Sequence, residues 1–324
     1  MNKIDHIVDR TSSQRAGAGT PPPRSATGRG RADKRRTGSI APYVFIGPAI
    51  VLLLAFAILP IVVAVVVSFT DMDIGGLADR NKIAGVGFEN YTALLGDAEF
   101  WRAVRNTAFF VLVGVPTIVV VSLVIALGLA RADTRLFRAL RALYFLPAIT
   151  AIVAISLIWG YLYNSQFGLL NHVLSGFGVE PVGWLTDPLL GRFSVAAVGV
   201  WRATGLNIII FLAALQSVPK EYTEAAAIDG AGAWRRTISI TIPTIRFAVL
   251  FVTVTTVINW LQFFDEPFVL NQGRPNAETT SVSLYLYEQG FKHNEFGFAS
   301  AGSTVLLLFI VIVTGIQLKL SRSK

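Results

Sequence analysis

Polar side chains interrupt two otherwise apolar stretches of this 324-residue sequence. Arg202 and Asn207 break the stretch 193–215, and Asn259, Gln262 and Asp265 break the stretch 247–270. Trp201, Trp260 and Phe263 stand among them. Ionisable and amide groups inside an apolar run are costly to bury, so they line a path or pair with a partner. Amides and a carboxylate beside flat aromatic faces suit hydrogen bonding to a hydroxyl-rich solute. Taken singly, each residue reads as an interhelical hydrogen bond or an interfacial anchor. Asp265 and Glu266 lie near the end of their stretch, where solvation is sufficient explanation. Arg202 has two further options, pairing with an acid or snorkelling to an interface.

The segment 217–243, between those two stretches, has a different character. Ser217 is placed to cap a helix, and Pro219 is tolerated in a first turn, where amide donors have no helical partner. Glu221 and Glu224 suit a helix start through the dipole, and Ala225, Ala226 and Ala227 extend it with a thin face. Asp229, Gly230, Ala231 and Gly232 follow; the glycines permit a sharp turn. A second helical stretch carries Trp234, Ile238 and Ile242 at four-residue spacing, with Ile240 between them, and Pro243 is expected to end it. This predicts a helix-turn-helix whose alanine surface lets another protein approach the backbone closely.

Other chemistries lack their residues. The sequence has no cysteine, which removes disulfides, thiolate metal sites and thiol nucleophiles. His6, His172 and His293 show no ligand spacing, so no metal is expected. No phosphate loop ending in Gly-Lys-Ser/Thr occurs, so any ATP is hydrolysed on a separate subunit. No nucleophile with a base points to an embedded enzyme, no cofactor is implied, and no internal repeat points to an ion-coupled secondary transporter.

The elements that must hold these residues are membrane helices. Hydrophobic residues make up 53% of the chain and charged residues 15%, against about 25% charged in soluble domains. Mean hydropathy is +0.58. A span needs about 20 mostly apolar residues, and six stretches qualify: 43–69, 108–130, 143–163, 193–215, 247–270 and 301–320. The expected fold is all-α, a polytopic bundle over 42–320. Pro48, Pro60, Pro116 and Pro147 are read as structural kinks, and an amphipathic stretch 88–104 as a short surface helix. Gly273 and Pro275 mark a turn at the start of the outer loop 271–298.

Charge sets the orientation. Arg131, Arg135, Arg138 and Arg141 lie between the second and third spans, Lys220, Arg235, Arg236 and Arg246 between the fourth and fifth, and Lys319, Arg322 and Lys324 at the end. The alternate loops are acidic. With Lys and Arg inside, both termini face the cytoplasm, including the end 321–324. The net charge of +8 is concentrated in the first 41 residues. That tail, rich in Pro, Gly, Ser and Thr, has no core-forming pattern and reads as disordered. Its Lys and Arg suit anionic membrane lipid; no aromatics are interleaved to suggest nucleic acid.

Glu224-Ala225-Ala226, Gly230, Ile240, Ile242 and Pro243 resemble the "EAA" signature of ATP-binding-cassette importer permeases, and Asp229-Gly230-Ala231 is similar to its carbohydrate-importer form. Residues 88–95, 100–107, 168–171, 184–188, 212–216 and 262–265 also look like maltose-type and glycerol-phosphate-type permeases, specifically the first permease of the heterodimeric pair. Departures are Arg246-Phe247, where the family often has Pro after Arg, and Gly273-Arg274-Pro275 in place of Gly-Gly-Pro. The resemblance implies a coupling helix at 217–243 docked on the ATPase subunit and a cargo path along the fourth and fifth spans. It also implies a second permease subunit, ATPase subunits, an extracytoplasmic solute-binding protein, and alternating access for a sugar-like cargo.

Overall fold

The computed structural model describes residues 41–131, 134–271 and 276–322. The basic tail up to residue 40 and the Gly273–Pro275 turn lie outside these residues, as do Ser323 and Lys324 of the end 321–324. The chain divides into two compact units, Met1–Val51 and Leu52–Lys324. The described part of the first belongs to helix α1 (Ala41–Leu53). Among the described residues the second unit is helical, with one isolated antiparallel bridge between Thr70 and Gly85 and no strand.

Five helical segments are long and apolar enough to cross a membrane: Val44–Val67, Ala98–Leu129, Pro188–Gln216, Arg246–Leu270 and Phe296–Ser321. A sixth would be the pair α6 (Arg135–Ile149) and α7 (Ile152–Leu162), which is bent by 95°. The expected span 143–163 falls on this bent pair, not on one continuous helix. Pro147 lies inside α6, and the chain turns only at Thr150 and Ala151, whose ψ values are extended. Because α6 starts at Arg135, the basic residues 135–141 are helical, and Arg141 Nη2 donates to Leu129 O at 2.9 Å, closing the end of α5 (Ala98–Leu129).

Two more expectations shift in detail. The surface stretch 88–104 is not one helix: α4 (Glu89–Gly96) stops, and Asp97 caps α5 by accepting from the amides of Glu99 and Phe100. Short helices α3 (Ile74–Ala78) and α8 (Leu169–Ser175) decorate two other connections. The outer loop is also partly helical, containing α15 (Val282–Tyr287) and a π-turn Glu288–Lys292 before α16 (Phe296–Arg322).

Proline has a recurring local consequence. Leu54–Ile58 is a π-turn followed by α2 (Leu59–Val67) with Pro60 in its first turn. Thr237–Thr241 is a π-turn followed by α12 (Ile242–Thr244) with Pro243 in the same place. A proline ring clashes with the carbonyl four residues back. The wider i→i+5 winding carries that carbonyl away, so the helix continues with a bulge. Pro243 thus does not end the helical stretch; the break falls at Ile245.

The core sits where α5 packs against α9 (Pro188–Gln216) and α13 (Arg246–Leu261), and α6 against α9. On α5 the buried positions Ala103, Phe110, Gly114, Ile118, Ser122, Ala126 and Leu129 follow helical spacing, while the apolar Leu112, Val120 and Val124 face outward. A helix apolar on both faces belongs in lipid. Small residues bring backbones together: a Cβ on Gly205 would lie 2.2 Å from Tyr144 O.

Candidate functional site: a polar cavity at a broken helix

Helix α13 ends at Leu261, and after Gln262, Phe263 and Phe264 the chain resumes as α14 (Asp265–Leu270). Breaking a helix inside an apolar bundle frees backbone groups that must be satisfied within the protein. Ser281 Oγ does this for Phe263 O. Ser281 is held by its own neighbourhood: Val282 N donates to Thr107 Oγ1 at 2.9 Å, and Asn106 Nδ2 donates to Ala277 O and Thr280 O, each at 2.9 Å. Arg192 pairs with Glu278, and Tyr285 donates to Asp97. Burial and the adjoining Asp97 carboxylate push the Tyr285 phenol up, so it remains a donor. The segment 276–285 is thereby clamped over the break.

Beside the break lies a cavity of about 480 Å³ between α9 and α13–α14. Arg202, Asn207, Trp260, Gln262, Phe263 and Asp265, all expected on a solute path, line it together with Asn259, Thr255, Thr256 and Glu266. Trp260 and Phe263 stack face to face, 4.8 Å apart with 4° between planes. Glycines seat this stack. A Cβ on Gly114 would lie 1.8 Å from the Trp260 ring, and one on Gly199 3.0 Å from Phe263. Asn207 and Asn259 donate to Ala203 O and Thr255 O in their own helices, leaving their amide oxygens without a partner among the described residues. Gln262 makes no side-chain hydrogen bond there, and Asp265 is exposed. The cavity therefore offers amides and a carboxylate along one wall and aromatic surface along another, an arrangement suited to a polar solute with apolar ring faces.

Trp201 is not part of it. Half-exposed at 46%, it lines a larger apolar cavity of about 810 Å³ with Tyr144, Pro147 and Phe193, and meets Trp159 edge-on. Its neighbour Arg202 points the other way, because adjacent residues on a helix are about 100° apart. Arg202 Nε donates to Glu266 Oε1 at 2.7 Å. Glu266 is 1% exposed, so the expectation that it is merely solvated is corrected. A helix break three residues earlier turns it inward. The only sequence signal was one basic and one acidic residue in successive apolar stretches.

The segment after α9 is arranged otherwise. Ser217 does not cap the next helix: its Oγ donates to Ala214 O and closes α9. Helix α10 (Lys220–Ile228) follows Pro219, and α11 (Ala233–Arg236) comes next. Between them Gly230 has φ +82°, with Ala231 N donating to Ala226 O at 2.9 Å and Gly230 N to Ala227 O at 3.1 Å. This 6→1 and 5→2 pair is a Schellman motif, which wants glycine at that left-handed position. Arg236 Nη1 reaches Thr223 O at 3.3 Å and ties the two arms together. Glu224, Ala225, Asp229 and Gly230 are exposed, while Ala226, Ala231 and Ile240 are half-buried. Ile228 is 87% exposed and Trp234 77%.

Residues 98–324 match the family described as "Binding-protein-dependent transport system inner membrane component". The lactose transport system permease protein LacF of Rhizobium radiobacter is 33% identical over 299 residues, 91% of this chain and 98% of that protein. The arabinooligosaccharides transport system permease protein AraP of Bacillus subtilis is 32% identical over 306 residues, 94% of this chain and 95% of its own length. In a crystal structure of a bacterial alginate ABC transporter in complex with an alginate pentasaccharide-bound periplasmic protein, one chain has the same fold. Its TM-score is 0.75 at 22% identity, covering 87% of this chain and 94% of that one. With more than half its length inside that family and relatives of matching extent on either side, this chain belongs to the binding-protein-dependent transport system inner membrane components, as a permease subunit of an ATP-binding-cassette importer.

Proposed function

We propose that the cavity beside the broken helix is the station through which this permease passes a sugar or sugar-like solute. The observation that carries this reading is the convergence of six path residues, amides and a carboxylate with a stacked Trp260–Phe263 pair, on one cavity. The relatives named for lactose and arabinooligosaccharides favour a carbohydrate cargo. Arg202 is compensated by Glu266, which leaves Asp265 as the cavity's uncompensated charge and favours a neutral solute over an anionic one.

ATP hydrolysis belongs to separate subunits of such importers. Residues 217–243 are the coupling element to them. Glu224, Ala225, Ala226, Asp229, Gly230 and Ala231 form the docking arm and its turn, and Ile240 and Pro243 the return arm. The mechanical link is covalent. Its first helix, α10, is joined to α9 by three residues, and the element continues through α12 to α13, so a push on it moves both walls of the cavity. This supports alternating access. Remaining parts of the assembly are a second permease subunit, of which this chain is the first-type partner, and an extracytoplasmic solute-binding protein. The membrane domain spans 42–320 in six crossings with both termini cytoplasmic, the bent pair α6–α7 counting as one. The basic tail 1–41 faces anionic lipid.

The test is solute uptake by cells carrying the complete transporter. Gln262→Ala and Asn207→Ala should raise the transport KM about tenfold each, the effect of one lost hydrogen bond, with unchanged amounts of assembled ATPase. Unchanged KM in both variants would remove the station.

A further inference from the structure

We propose that Glu266 sets the charge class of the solute. It holds Arg202 at Nε and cancels the guanidinium charge, yet leaves the terminal N–H groups facing the cavity, so uncharged polyhydroxyl solutes are accepted and sugar acids refused. This rests on the station proposed above. Arg202 lines the cavity from α9 and Glu266 from the first turn of α14. Glu266 is 1% exposed, which leaves it no surface to offer a solute. Its influence on cargo passes through Arg202, which makes it a positioning residue.

A guanidinium carries several N–H donors and meets a carboxylate most strongly through two parallel bonds. Here a single bond is made, from Nε to Oε1 at 2.7 Å. Nη1 and Nη2 make no hydrogen bond among the described residues, and 31% of the Arg202 side chain remains exposed. The side of the guanidinium is thus fixed and its end is open. That end presents paired donors in one plane, which span two adjacent oxygens. In a neutral solute these are vicinal hydroxyls, and in a sugar acid a carboxylate. The charge left over decides between them. With Glu266 ionised the pair is neutral, and the exposed Asp265 carboxylate in the same cavity repels anions. Hydroxyls still find the donors, whereas a carboxylate meets no net positive charge. Stability alone does not account for an acid at position 266, because a buried ion pair is often no more stable than apolar residues of the same volume.

Charged thiol reagents test this, because the chain has no native cysteine. Leu206 lines the same cavity one helical turn from Arg202 and is 53% exposed. Leu206→Cys is introduced into the complete purified transporter. Its rates of reaction with anionic sulfonatoethyl and cationic trimethylammonioethyl methanethiosulfonate are compared at alkaline pH. Adding Glu266→Gln, which keeps an oxygen acceptor for Nε, should raise the anionic-to-cationic rate ratio about tenfold. Asp265→Asn removes the same charge from the same cavity without touching the pair, and should change the ratio by less than about twofold, since solvent screens it. An unchanged ratio in Glu266→Gln, or an equal rise in both variants, overturns the proposal. Should Glu266→Gln fail to assemble, Arg202→Gln takes its place. Its amide can still donate to the acid, and the ratio should fall; no fall overturns the proposal.

A second measurement connects the charge to cargo. Galactose and galacturonate, like glucose and glucuronate, differ only in one carboxylate. With Leu206→Cys alone, a neutral sugar should slow the reaction and its acid should not. With Glu266→Gln added, the acid should become the better protector. The same preference in both backgrounds overturns the proposal and leaves the station. Protection by none of the four sugars, or no reaction of Leu206→Cys in any background, removes the station and this proposal with it.

Discussion

Arg202 and Glu266 show how a charge can reside in an apolar bundle. A buried carboxylate is tolerated because a guanidinium answers it at 2.7 Å. Removing one partner is then more damaging than removing a solvated acid close by. Glu266→Ala should lower the stability of the purified chain by about 2 kcal/mol. That is less than the ~3–5 kcal/mol of a fully buried pair, because Arg202 keeps 31% of its side chain exposed. Asp265→Ala, one residue away and exposed, should change it by under about 0.5 kcal/mol. Thermal unfolding in detergent compares the two; equal losses would mean that the pair has no stabilising role. At this scale the sequence was legible in residue type. Arg202, Asn207, Trp260, Gln262, Phe263 and Asp265 stand out from apolar surroundings. Trp201 stands out as clearly, and only its direction from the helix axis puts it in a different cavity.

At the scale of elements, the turn between α10 and α11 depends on one backbone conformation. Gly230 at φ +82° closes the Schellman motif, and any L side chain there is strained. Gly232, at φ −63° with open space around its α-carbon, has no such need. Gly230→Ala should cost the element about 1 kcal/mol and weaken co-purification of the ATPase and solute uptake, without reducing the amount of chain in the membrane. Gly232→Ala is the matched control and should behave as wild type. Equal behaviour of the two variants would separate this turn from coupling. The broken helix α13–α14 is the other decisive element. Its polar residues were visible in sequence, and its break has a local cause in Pro267, in the first turn of α14, which has no amide to donate to Phe263 O four residues back. The interruption is held by Ser281, which is 18 residues distant in the chain.

For the whole molecule, the proposed orientation rests on the distribution of Lys and Arg, and a chain without cysteine is convenient for testing it. Glu180→Cys should react with a membrane-impermeant thiol reagent added outside intact cells, and Arg135→Cys should not. The opposite pattern would invert the molecule and place residues 217–243 outside. The same measurement bears on the bent pair α6–α7, since residues 135 and 180 lie on opposite sides only if that pair crosses once.

What the sequence by itself determined is what depends on composition and on local chain chemistry. Apolar runs long enough to cross a bilayer, a bias of Lys and Arg toward alternate connections, and a glycine where a left-handed turn is required are all written in neighbouring residues. The tertiary structure decided what depends on residues far apart in the chain. Glu266 became buried because α9 brings Arg202 to it, and Trp260 became a wall of the cavity because Gly114 on α5 leaves room for its ring. Gln262 came to face the cavity because a hydroxyl from the outer segment satisfies the backbone at the break beside it. A hydropathy pattern records which side chains avoid water. It does not record which helix will be opposite, and that neighbour determines whether a polar group is paired, solvated or left facing a solute.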